Sequence, residues 1–307
     1  MKRIVLLTIL ALIQFSVISS ISFAETAYTN SEILVSAGWV EKQLENPSFI
    51  LIDVREEGYE DGHIPGAKHF NMDLLIDKRH AIEGHLINKE VFEKQMSEIG
   101  IRRDAQVVIY DKGKDTNATR LFYALEYYGH PHVKIINGGY AAWEAEGKIT
   151  TTEEPKVVHS EYVAEEKSEL MVSKQEVKSA INKKGIVLLD VRSPAEYKGE
   201  EVRAKRGGHI PSAINLEWKK VLSEGKVPLF KSEKDLLSIL ESMGVTKDKK
   251  IMIYCQKANR ASHMYFTLRL LGYGNISVYE GSWEEWGNDP KTPIVNPSKI
   301  DRDLRSL

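Results

Sequence analysis

Short apolar runs rich in Val, Ile and Leu recur along the chain at residues 50–54, 107–110, 187–191 and 251–254. Runs of this length and composition predict strands buried on both faces. Between them the apolar positions change to helical spacing. Ala118, Leu121, Phe122, Leu125 and Tyr128 form one stripe, ended by Gly129, and Ala261, Met264, Tyr265, Leu268 and Leu271 form another, ended by Gly272. Strands alternating with helices predict parallel β-sheets flanked by helices, an α/β fold.

The pattern is written twice. Ile50-Leu51-Ile52-Asp53-Val54-Arg55 returns as Val187-Leu188-Leu189-Asp190-Val191-Arg192, and His63-Ile64-Pro65 as His209-Ile210-Pro211. Val107-Val108-Ile109-Tyr110-Asp111 returns as Ile251-Met252-Ile253-Tyr254-Cys255, and Gly138-Gly139-Tyr140 as Gly281-Ser282-Trp283. Order is kept throughout, and the spacing opens in one place, a charged insertion at 198–207. A unit this long, present twice, is a duplicated domain and not a solenoid, whose repeats are shorter and more numerous. The expected division is a first domain over 25–150, a linker rich in Thr, Glu and Lys over 151–170, a second domain over 171–295 and a tail over 296–307.

The first residues stand outside this scheme. Lys2 and Arg3 precede a largely apolar stretch from Ile4 to Val17, and Ser22-Phe23-Ala24 before Glu25 has the small residues of a cleavage site. An apolar core of about 14 residues falls short of the roughly 20 that span a bilayer, so residues 1–24 are expected to be a cleaved signal peptide. The mature protein is then expected in the periplasm, with no membrane attachment after cleavage. A net charge of −2 gives no electrostatic case for nucleic acid.

Cys255 is the single cysteine in the chain, in a compartment where cysteines are used in pairs. Alone at a strand end it could be a small buried hydrophobe. Its neighbours argue for chemistry: Gln256-Lys257-Ala258-Asn259-Arg260 make a polar, basic turn into a helix. Such a turn collects backbone N–H groups that lack intrahelical partners, and these together with the helix dipole and nearby cations favour the thiolate, the reactive form.

Gly62-His63-Ile64-Pro65-Gly66-Ala67, the Asp-Val-Arg strand ends, the Cys255 loop and Tyr279-Glu280-Gly281-Ser282-Trp283 together resemble the rhodanese sulfurtransferases in their tandem-domain form. The resemblance covers essentially the whole mature chain. It implies two α/β domains, the first catalytically silent, with Asp111 in the cysteine's place, and the second carrying sulfur as a persulfide on Cys255. It also implies a small anionic sulfur donor bound by Arg192 and Lys257, with Arg260 either binding or bracing the loop, and a cyanide, thiol or protein acceptor. A basic residue two positions after the cysteine resembles thiosulfate users more than 3-mercaptopyruvate users. No cofactor or metal is expected, since the histidines are scattered. His63 and His209 are expected to hold turns, and Trp283 and Trp286 to be core or cleft wall. A phosphatase-type loop would place arginine six positions after the cysteine, where this chain has Ala261. A persulfide carrier that turns over free donors poorly is the remaining alternative.

Overall fold

Each half folds around a parallel five-stranded sheet, in a computed structural model that describes residues 28–299. The expected signal peptide and the end of the tail lie outside the described residues. In the first half β1 (Leu34–Val35), α1 (Ala37–Glu41), β2 (Phe49–Asp53) and β3 (Lys68–His69) precede α2 (Lys89–Glu98), β4 (Gln106–Tyr110), α3 (Asn117–Tyr127), β5 (Val133–Ile136) and α4 (Gly139–Ala145). The second half opens with β6 (Met171–Val172), α5 (Lys174–Ala180), β7 (Ile186–Asp190), α6 (Pro194–Lys198) and β8 (Ile214–Asn215). It continues through α7 (Glu233–Ser242), β9 (Lys250–Tyr254), α8 (Asn259–Leu270), β10 (Ile276–Tyr279) and α9 (Ser282–Asn288).

The strand orders β1-β5-β4-β2-β3 and β6-β10-β9-β7-β8 are the same order repeated. Equivalent strands keep equivalent register, Ile52 opposite Ile109 and Leu189 opposite Ile253. The central strands β4 and β9 are buried on both faces beyond their first residue, which is why they read as unbroken apolar runs. Local signals set the helix starts: Ser193 and Glu196 form a capping box on α6 with Pro194 in the first turn, and Ser173 and Glu176 form another on α5.

The domains share one hydrophobic core. The apolar stripes of α3 and α8 meet across the boundary, with Phe122 edge-on to Phe266 at 4.8 Å and Tyr123 edge-on to Tyr265 at 5.1 Å. Smaller clusters around Trp143 and around Trp283 and Trp286 back the outer faces of the two sheets. The 151–170 segment is a strap laid on the first domain: Thr151 pairs antiparallel with His63, and Tyr162 and Ala164 are buried. Each histidine holds its turn, His63 stacking on Tyr59 and His209 on Tyr197 while their Nδ1 atoms bond the Tyr59 and Tyr197 carbonyls.

A reciprocal crossing follows from packing the two copies through α3 and α8. An excursion of the first domain, closed by pairing of Ile76 with Leu86, reaches the loop after β9, and its counterpart, closed by pairing of Leu222 with Phe230, reaches the loop after β4.

Candidate active site

β9 stops at Tyr254 and α8 starts at Asn259, so the polar turn read from the sequence is a short loop at the carboxyl end of the central strand, where ligands of parallel sheets bind. Its shape is set from α9. Ser282 Oγ donates to the Tyr279 carbonyl at 2.9 Å and accepts the N–H groups of Cys255 at 3.2 Å and Ala258 at 3.3 Å. Ser282 and Ala258 both hold left-handed backbone, at φ 48° and 63°, a costly state for residues with a Cβ. The repeat partner of Ser282 is Gly139, which takes φ 58° freely. The second domain therefore carries strain where the first has a glycine, and in return has a hydroxyl that fixes the cysteine loop.

Cys255 is buried but for 1% of its surface and lies on the wall of an open cavity of ≈ 560 Å³. Gln256, Lys257 and Arg260 line the cavity with it, as does Arg203 from the charged insertion. The first domain contributes Glu83 and Thr116. The cations are paired: Lys257 Nζ lies 2.7 Å from Glu83, Arg203 bonds Glu201, and Arg260 grips Glu196 through both terminal nitrogens at 2.6 and 2.9 Å. Burial alone would raise the Glu196 carboxyl, but the Arg260 bonds and charge overcome it and hold the group at about 2. The Cys255 sulfur is among the groups acting electrostatically on Arg260.

Of the three cations expected to meet the donor, two reach the cavity. Arg192 does not line it. That guanidinium is buried, doubly bonded to Asp190, bonded to the Gly208 carbonyl at 2.8 Å and stacked 4.3 Å from the Trp283 ring. Its geometry is repeated by Arg55 with Asp53, Gly62 and Tyr140 in the first domain, so the Asp-x-Arg pair is a brace at the strand end in both copies.

The loop after β4 shows what such a loop holds. The Asp111 carboxylate folds back into its own turn, accepting from Gly113 N–H at 2.8 Å and Ala118 N–H at 3.0 Å. The cysteine loop is shorter, four residues between β9 and α8 against six between β4 and α3, and its Cys255 and Ala258 amides are held by Ser282 Oγ. Excursion residues Leu222, Pro228 and Phe230 roof the Asp111 loop and leave only ≈ 30 Å³. Burial, with the nearby Asp115 charge, raises the Asp111 carboxyl to about 7 against the pull of its two amides. Its folded-state pKa thus lies above the unfolded one. The folded protein holds a proton that the unfolded chain releases between pH ~4 and ~7, and stability from this group is full below that window and declines through it. The difference in unfolding free energy between the wild type and Asp111→Asn should therefore change with pH between 4 and 7; parallel curves would refute the assignment.

A further first-domain residue lies behind the cavity wall. Arg120 of α3 is fully buried, pairs with Glu280 through both terminal nitrogens, donates to the Gly84 carbonyl at 3.0 Å, and approaches Ser262 at 3.4 Å. Cys255 is among the groups that act on its charge. The sequence carried a signal for it, a charge inside the apolar pattern of a helix. Glu83, Thr116 and Arg203 had none, being polar residues in loops.

The Rhodanese-like domain family matches the chain twice, over residues 36–146 and 173–289. The chain belongs to the rhodanese-like family. Among rhodanese relatives, the sulfur carrier protein TtuD of Thermus thermophilus is 38% identical over 284 residues, 87% of this chain and 98% of that protein. The thiosulfate sulfurtransferase of Pseudomonas aeruginosa is 30% identical over 270 residues, 88% of this chain and 99% of that one. A solved structure of EanB, captured as a cysteine persulfide with ergothioneine, superposes with TM-score 0.79 at 26% identity, covering 86% of this chain and 70% of that one. The chain's two matches make it a tandem rhodanese-like protein.

Proposed function

We propose that the protein transfers the sulfane sulfur of thiosulfate through a persulfide on Cys255. The thiolate attacks the outer sulfur, the S–S bond of thiosulfate breaks, and its electron pair leaves with sulfite. Cys255 then carries one extra sulfur as a perthiolate. Cyanide or a thiol attacks that sulfur, forming thiocyanate or a new persulfide and returning the thiolate. The observation that carries this reading is the contrast between the two loops: where Asp111 places a carboxylate on its own loop amides, the second domain has a thiol beside an open cavity. Loop amides favour a charged perthiolate, and the open cavity spares it the burial that raises the Asp111 carboxyl in the roofed twin. Lys257 supports a compact dianion as donor, and the name of the Pseudomonas relative supports thiosulfate.

The intact mass of the protein after incubation with thiosulfate tests this. One sulfur atom should be gained, lost again on adding cyanide, and never gained by Cys255→Ser. A protein that gains no sulfur defeats the proposal. The name of the Thermus relative favours a second reading, delivery of the sulfur to a protein acceptor. Loading once and stalling with free cyanide, while turning over with a protein thiol, is the result that selects it.

A further inference from the structure

The first domain does more than wall the cavity. Its excursion brings Glu83 to within 2.7 Å of Lys257 Nζ, the cation two residues after Cys255. The approach is built into the backbone. At Gly84, φ is +86°, and a Cβ there would sit 2.9 Å from Lys257 Cβ and 3.3 Å from the Lys257 carbonyl oxygen. Arg120 holds the Gly84 carbonyl at 3.0 Å, and Glu280 accepts the Leu86 N–H at 3.0 Å. These buried anchors on either side of the domain boundary fix the segment that carries Glu83, so little freedom is lost when the ion pair forms.

We infer that Glu83 is a specificity-determining residue, which competes with the donor for the Lys257 ammonium and so penalises donors according to their negative charge. The inference rests on Lys257 as a donor ligand in the proposed function. Glu83 is suited to competition where Glu196 is not. The Glu196 carboxylate is 1% exposed and cannot follow a broken pair into water, whereas Glu83 is 71% exposed and swings into solvent at small cost. A dianion recovers the whole Lys257 interaction on displacing it, but it also meets the displaced carboxylate at the cavity mouth. A singly charged donor meets less repulsion.

The test compares Glu83→Gln with the wild type, using thiosulfate as a dianionic donor and methanethiosulfonate as a monoanionic one at saturating cyanide. Glu83→Gln should lower the thiosulfate KM about three- to fivefold, the upper part of the range for an exposed ion pair, lower the methanethiosulfonate KM less, and leave kcat within about twofold. Glu83→Asp, which keeps the charge but loses a methylene of reach, should fall between. In a Lys257→Met background the Glu83→Gln change should shrink to the part due to direct repulsion between the carboxylate and the donor. An unchanged thiosulfate KM, or the same shift with Lys257 absent, overturns the inference while leaving the persulfide chemistry intact. A wild type that takes no sulfur from thiosulfate defeats the proposed function, and this inference falls with it.

Discussion

Arg120→Met should lower the unfolding free energy by ~3–5 kcal/mol, because it leaves the Glu280 carboxylate buried and without its counter-charge. Methionine nearly matches the arginine stem in reach, so the loss is one of charge and hydrogen bonds more than of volume. Adding Glu280→Gln should recover most of it, since a neutral amide can still accept the Leu86 N–H. Chemical denaturation of the single and double variants reads both values. A loss below ~1 kcal/mol for Arg120→Met would mean that water reaches Glu280, and the account of the boundary would fail. The Gly84 carbonyl also loses its donor in this variant, so the Glu83 segment should loosen in step.

Arg260→Met should reduce kcat/KM for thiosulfate about a hundredfold or more, the scale on which a positioned donor at a site of developing charge acts. Arg260 is the cavity cation whose place is fixed most firmly, by two bonds to a carboxylate that is 1% exposed. The same substitution strands Glu196, so stability falls too, and the two effects must be separated. Glu196→Gln added to Arg260→Met should restore stability and leave the rate low. Recovery of the rate in the double variant would make Arg260 a brace for the loop and nothing more. Acid gives an independent check on the pair: the folded-state pKa of Glu196 is depressed, so its contribution is present above the ordinary value of 4.5 and is lost as pH falls toward about 2.

The fold was legible because its signals are local and repeated. Each central strand is apolar on both faces, each following helix ends at a glycine with φ 79° or 78°, and the same motifs stand in the same order in both halves. The cysteine loop was legible because polar and basic residues follow a buried strand. Arg192 shows the limit of that reading. A cation at a strand end can serve a ligand or a neighbouring carboxylate, and the sequence holds no measure of which is nearer; the structure gives it to Asp190. Arg203 was hidden inside what read as an interruption, a charged insertion whose side chain returns to the cavity. Arg120 showed as a charge inside an apolar helix, but what it and Glu83 pair with was hidden for a deeper reason. Their partners, Lys257 and Glu280, lie in the other half of the chain, and pairing across a domain boundary leaves no trace in local spacing.

The crossing of the two excursions makes the repeat resemble a dimer on a single thread. The loop after β9 takes part of its wall from the first copy, and the loop after β4 takes its roof from the second. If the copies were separate chains, dilution would strip each loop of its cover. Joined by a strap already laid along the first domain, they meet at the high effective concentration of a tether, and the cavity beside Cys255 keeps its shape at any protein concentration.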